Sequence, residues 1–254
     1  MAPDDDPPAL DGRVALVTGA SRGLGAGLAT RFAERGVALA LCARTEPRLP
    51  AGARGLAAAV DVTDAGAVDA FVRRAAAELG PVDLCVANAG LLGPIGPLRA
   101  AEPGEVTASL RANVEGVAHT VAAYARHVRS RPGGGVLLTI SSGAARKPTP
   151  GWAPYAASKA AVDMLTRVVA EEEGEAGLRA HAVAPGVVET AMQEALRAAG
   201  PDAFPRHAEF VALKEEGRAS SPAFVADHLL RLAFAPDPAD VGEVLLRLPP
   251  EHPR

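Results

Sequence analysis

The sequence predicts an α/β fold: a doubly wound sheet of seven mostly parallel strands with helices on both faces. Three observations carry this. Short apolar runs alternate with longer amphipathic stretches along almost the whole chain. The runs are continuously apolar, as in strands covered on both faces. A glycine-rich turn joins the first run to the first helical stretch.

The predicted strands are 13–18 (RVALVT), 37–43 (VALALCA), 56–62, 82–87 (VDLCVA), 136–140, 178–184 and 242–248 (GEVLLRL). Helices are expected over 23–35, 64–79, 105–131 and 155–173. Thr63 or Asp64 is placed to cap the second helix, and Pro132 with Gly133–Gly135 ends the third. Ser221 followed by Pro222 reads as an N-cap with proline at the first helical position of a further helix. The stretch 187–220, broken by Pro201, Pro205 and Gly217, is expected to be an irregular substrate lid. Residues 1–9, acidic and proline-rich, are expected to be a flexible tail ahead of a single domain over 10–254.

Of the 254 residues, 48% are hydrophobic, 22% charged and 4% aromatic, so Ala, Val and Leu must fill the core. The net charge of −4 predicts no nucleic-acid or anionic membrane partner. Cys42 and Cys85 lie inside apolar runs and read as small core residues, which fits a reducing, cytoplasmic setting. No apolar stretch is long enough to cross a bilayer. Lysine occurs only at Lys147, Lys159 and Lys214, against a large excess of arginine.

The turn after the first strand is Thr18-Gly19-Ala20-Ser21-Arg22-Gly23-Leu24-Gly25. Its glycines allow a tight turn and a close approach by a pyrophosphate, which the helix N-terminus would receive. Its spacing, G-x-x-x-G-x-G, differs from the usual dinucleotide fingerprint, and alone it also suits a plain strand–helix turn. An acidic residue at the end of the second strand would select NAD; Ala43-Arg44-Thr45 stands there instead. Arg44 and Arg22 could grip a 2′-phosphate from two sides, or be two solvated arginines. The first alternative points to NADP(H).

Tyr155-Ala156-Ala157-Ser158-Lys159 puts a phenol and an ammonium on one helix face. In a chain with so few tyrosines and lysines, this spacing arises by chance in about 2% of cases. A neighbouring ammonium should favour phenolate and bring the phenol toward its working pH. Ser142, at the end of the fifth strand, could hydrogen-bond the same substrate oxygen.

Together these residues resemble the short-chain dehydrogenase/reductase family, in its single-domain branch with a Rossmann-type fold. The likeness runs from about Gly12 to Leu248. It includes Thr18–Gly25, Asp61-Val62, Asn88-Ala89-Gly90, Asn113, Ser142, Tyr155–Lys159 and the run from Pro185 and Gly186 through Val188 to Thr190, all in order. The resemblance implies that Tyr155 is the general acid/base, that Lys159 tunes it and binds the nicotinamide ribose, and that Ser142 polarises the substrate carbonyl. It implies that Asn113 holds a proton-returning water chain. It also implies that Gly19, Ser21, Arg22, Gly23, Leu24, Gly25, Arg44 and Thr45 hold the dinucleotide's phosphates and adenosine end. Asp61 and Val62 would meet adenine, Asn88, Ala89 and Gly90 the cofactor floor, and Pro185, Gly186, Val188 and Thr190 the nicotinamide carboxamide. Ala87 stands where such proteins often carry asparagine. Homodimers or homotetramers are common in the family.

The segments 190–193 and 210–218, followed by Ser221-Pro222, resemble sepiapterin reductases and related bacterial benzil reductases. The C-terminal aspartate that holds the pterin in the former is missing, which points to a bulky apolar or aromatic ketone or diketone. Candidate pocket residues are Leu92, Trp152, Met192 and Phe204, with Leu91, Pro94, Ile95 and Phe210 nearby. An NADPH-dependent carbonyl reductase is thus expected, with no metal. Two alternatives stay open: an oxidative alcohol dehydrogenase or imine reductase on the same scaffold, and a dinucleotide-sensing module without catalysis.

Overall fold

The seven expected strands form one sheet in which every pairing is parallel. The structure, a computed structural model, describes residues 10–235 and 243–252. The expected tail at 1–9 and the start of the last strand at Gly242 lie outside the described residues. The strands are β1 (Val14–Thr18), β2 (Ala38–Ala43), β3 (Gly55–Ala59), β4 (Leu84–Ala87), β5 (Gly135–Ile140), β6 (Leu178–Ala184) and β7 (Leu245–Arg247). Their order is β3-β2-β1-β4-β5-β6-β7. The chain winds outward from β1 to β3, then crosses back to lay β4 on the other side of β1. That reversal opens a crevice above the C-terminal ends of β1 and β4.

Alternation along the strands divides the core between the two faces. Val14, Leu16, Cys85 and Leu137 pack with α2 (Ala65–Leu79), α4 (Gly116–Arg129) and α5 (Ala153–Glu173). Ala15, Val17, Leu84 and Val86 face the other way, against α1 (Gly23–Glu34) and α8 (Pro222–Phe234). Caps set these helices where the sequence places them. Asp64 accepts a hydrogen bond from Ala67 N at the start of α2. Ser221 Oγ accepts one from Phe224 N at the start of α8, which opens with Pro222. Cys42 and Cys85 are buried and unpaired, and burial pushes both thiols up, Cys42 to about 12.

Two expectations need correction. The helix expected over 105–131 is not uniformly α-helical. Between α3 (Pro103–Leu110) and α4 it passes through a π-helical turn, Arg111–Glu115. The 187–220 stretch is not irregular: it holds α6 (Ala191–Ala203) and α7 (His207–Glu215). Pro201 and Pro205 mark the breaks rather than a loop. α6 is kinked at Gly200, whose φ of 76° is left-handed, and Pro205 falls in the gap before α7. A parallel bridge between Val188 and Ser220 draws the ends of this stretch together.

Tyr124 on α4 pins the bases of β4 and β5. Its hydroxyl donates to Asp83 O (2.9 Å) and accepts from Val136 N (3.1 Å), and the side chain is fully buried. Tyr124→Phe removes the hydroxyl, while Val136 N keeps its bond to Asp83 O (2.9 Å). We expect a loss of about 0.5–1.5 kcal/mol in urea unfolding; a variant as stable as the parent would show that the hydroxyl does not tie these strands.

Candidate active site

The crevice is a continuous cleft of about 1580 Å³. At one end, the turn after β1 brings Gly19, Ser21, Arg22, Gly23, Leu24 and Gly25 to its wall. The need for glycine is steric. A Cβ on Gly19, where φ is 68°, would lie 2.7 Å from Ala89 Cα, and one on Gly25 would lie 2.4 Å from Gly19 O. Arg22, the N-cap of α1, makes no side-chain cap bond, so the first amides of the helix remain open to an anion. This cradle fits a dinucleotide pyrophosphate. Arg22 and Arg44 both line the cleft, with no ion-pair partner among the described residues. Thr45, Asp61 and Val62 continue along the wall. Asp61 Oδ1 accepts from both Thr63 N and Thr63 Oγ1 (each 2.9 Å), which holds its carboxyl below the usual range, with Arg44 and Arg111 helping.

The cleft floor is fixed by Asn88 and Thr18. Asn88 Nδ2 donates to Thr18 O (2.9 Å) and Gly19 O (3.3 Å). Thr18 Oγ1 accepts from Asn88 N and Ala89 N, each at 3.1 Å. Asn113 lies inside the π-helical turn, fully buried and off the cleft wall. Its Oδ1 accepts from Leu91 N (2.7 Å), and its Nδ2 donates to Leu91 O (2.8 Å) and Ser158 Oγ (3.0 Å). Ser158 Oγ in turn donates to Tyr155 O (2.7 Å). The π turn therefore joins the loop after β4 to the first turns of α5.

Tyr155, Lys159 and Ser142 meet in the middle of the cleft, beside Gly90, Pro185, Gly186, Val188 and Thr190. Burial raises the Tyr155 phenol above its ordinary value, and a hydrogen bond with Ser142 opposes this only in part. Lys159 Nζ donates to Ile140 O (2.8 Å) and sits 5.6 Å from the centre of the Tyr155 ring. The ammonium thus donates to the backbone at the end of β5 while standing beside the phenol. Lys159 is itself lowered by burial, to about 8, with Asp163 acting in the opposite sense.

Beyond the tyrosine the wall turns apolar. Trp152, Leu92, Met192 and Phe210 line it. Phe204 does not, contrary to expectation. It is fully buried, stacked on Trp152 at 4.9 Å between centroids and edge-on to Phe210 at 5.2 Å. Tyr155 meets Trp152 edge-on at 5.4 Å. Phe204 thus backs the wall, and Phe210 of α7 forms it. Sequence reasoning also misses Ser158 and Asp163. Both recur on the Tyr155 face at helical spacing, a signal present in the sequence.

A family model described as short chain dehydrogenase matches residues 13–200. The chain belongs to that family. It is 35% identical over 240 residues to cis-4-hydroxycyclohexanecarboxylate dehydrogenase of Sinomonas cyclohexanicum, covering 92% of this chain and 94% of that one. It is 28% identical to a benzil reductase ((S)-benzoin forming) of Bacillus cereus, covering 87% and 93%. The crystal structure of levodione reductase superimposes with a TM-score of 0.81 at 26% identity, over 93% and 95% of the two chains. The short-chain dehydrogenase is accordingly an oxidoreductase acting on alcohol and carbonyl groups with a nicotinamide cofactor. Among the described residues no helix is long and apolar enough to cross a membrane.

Lysine labelled at Cε and followed by NMR should show Lys159 of the cofactor-free protein titrating near 8. A midpoint at the ordinary 10.5 would mean that the ammonium is solvated and not held in the cleft wall.

Proposed function

We propose that this protein is an NADPH-dependent carbonyl reductase that converts a bulky apolar or aromatic ketone or diketone to the alcohol. The observation that carries the reading is the neutral, buried Tyr155 phenol, bonded to Ser142, where the cradle for a dinucleotide meets an aromatic wall. When bound, the nicotinamide supplies a hydride to the carbonyl carbon. Ser142 and Tyr155 hold the carbonyl oxygen, and Tyr155 gives it a proton as negative charge develops there. Lys159 holds the ribose hydroxyls and stabilises the phenolate that results. Asn113 fixes the loop after β4 and the α5 backbone through which protons return.

Preference for NADPH is supported by Arg22 and Arg44, two cations at the adenosine end with no ion-pair partner among the described residues. Relatives named for benzil and for a hydroxycyclohexanecarboxylate support a ring-bearing substrate. α6 and α7 serve as the lid over residues 187–220, contributing Met192 and Phe210. Several relatives are named dehydrogenases, so the same residues also suit oxidation of the alcohol, with Tyr155 accepting the proton.

Reduction of benzil and of cyclic ketones, followed as loss of nicotinamide absorbance with NADPH and NADH, tests the reading. Tyr155→Phe should lower kcat by about 10²–10⁴-fold while NADPH still binds; activity within a few-fold of the parent would remove this tyrosine from the mechanism. Arg44→Ala should raise KM for NADPH about tenfold or more and leave KM for NADH nearly unchanged. Equal effects on both cofactors would show that Arg44 does not meet a 2′-phosphate.

A further inference from the structure

One carboxylate behind the tyrosine and lysine has no part in the proposed reaction. Asp163 lies one helical turn beyond Lys159 on α5 and is only 6% exposed. Its Oδ1 accepts a hydrogen bond from Ser141 Oγ, and its Oδ2 is 3.4 Å from Arg146 Nε. Ser141 and Arg146 bracket the segment that carries Ser142. Within it, Ser142 Oγ accepts from Ala144 N (3.2 Å) at the start of a single 3₁₀ turn, Gly143–Ala145. One side chain of α5 therefore grips both ends of the loop bearing Ser142. The same helix carries Tyr155 and Lys159.

A carboxylate at this depth is costly unless it is paired and hydrogen-bonded, so packing alone does not account for it. Its surroundings suggest a second task. The Lys159 ammonium is buried and bonded to Ile140 O. On its own helix it faces Tyr155 and Asp163. From the segment after β5 come Arg146, paired with Asp163, and the exposed Lys147. Gly90, in the loop after β4, lies beside the ammonium, and Arg111 of the π turn lines the same cleft. Asp163, four residues along α5 on the same buried face, is the carboxylate that acts on Lys159.

We propose that Asp163 is a positioning residue with two roles: it sets Ser142 opposite Tyr155 by holding Ser141 and Arg146, and its charge keeps Lys159 protonated within the cleft wall. This rests on the assignment of Tyr155, Lys159 and Ser142 to catalysis. The two roles separate by substitution. Asp163→Asn removes the charge and keeps the shape. Ser141→Ala releases the loop and keeps the charge. Asp163→Glu keeps the charge and displaces both grips.

The test reads the Lys159 titration by NMR of Cε-labelled lysine in the full-length, cofactor-free protein. With three lysines in the chain, Lys147→Arg and Lys214→Arg complete the assignment. Asp163→Asn should lower the Lys159 midpoint by about half a pH unit or more, whereas Ser141→Ala and Asp163→Glu should leave it in place. All three should lower kcat for ketone reduction on the order of tenfold, with KM for NADPH nearly unchanged in Ser141→Ala. Only Asp163→Asn should also lose activity at a lower pH on the alkaline side. An unmoved midpoint in Asp163→Asn overturns the electrostatic role, and parental kcat in Ser141→Ala and Asp163→Glu overturns the positioning role. If Asp163→Asn does not fold, Asp163→Ser supplies a second neutral variant, and an unmoved midpoint there overturns the electrostatic role. A parent protein that reduces no carbonyl defeats the proposed reaction instead, and the lysine titration still decides the charge role.

Discussion

The constraint on which the site depends is the closeness of two strand ends. Where β1 and β4 diverge, Gly19 passes so near Ala89 that no side chain fits between them, and Asn88 ties its amide to the backbone just ahead of that contact. This junction is the point of reversal in the sheet, so loops leave it in opposite directions and a crevice opens between them. The glycine turn then carries the chain into α1, and the loop after β4 carries it toward the π turn. The cradle and the catalytic floor are two sides of one junction.

A second layer of polar contacts holds the reactive groups on the other side. α5 enters the core with Tyr155, Ser158, Lys159 and Asp163 on one face, each bonded or paired with a neighbouring segment. Burial that would make any one of them unfavourable alone becomes tolerable because each partner is itself fixed. The aromatic stack of Trp152, Phe204 and Phe210 closes this layer from outside with apolar contacts alone.

Much of this is legible in the residues. Continuous apolar runs such as Val37–Ala43 can be read as parallel strands because both faces are covered. Tyr155 and Lys159 are legible because helical spacing is local. The failures have physical causes. Pro201 and Pro205 suggest a loop, yet proline is compatible with helix starts and with kinks, and α6 and α7 form around them. Phe204 and Phe210 are alike by composition. Only the turn of the chain between α6 and α7 decides which one meets the cleft. The π turn at Asn113 has no signature in propensity, and the bonds of Asn113 run to Leu91 and Ser158, distant in sequence. Spacing puts a cation near Tyr155, and only the fold shows that this cation also donates to Ile140 O.

The π turn also limits how this part of the chain can change. It holds one residue more than an α-helix would over the same rise. Deleting one residue from Arg111–Glu115 would let the run close up as a regular helix over the same rise, with α3 and α4 still on their present faces. Tyr124 and Val128 would keep their places in the core, while the bulge that carries Asn113 between Leu91 and Ser158 would be gone. The extra residue belongs to the site and not to the scaffold, so the framework could outlive the loss of the floor it supports.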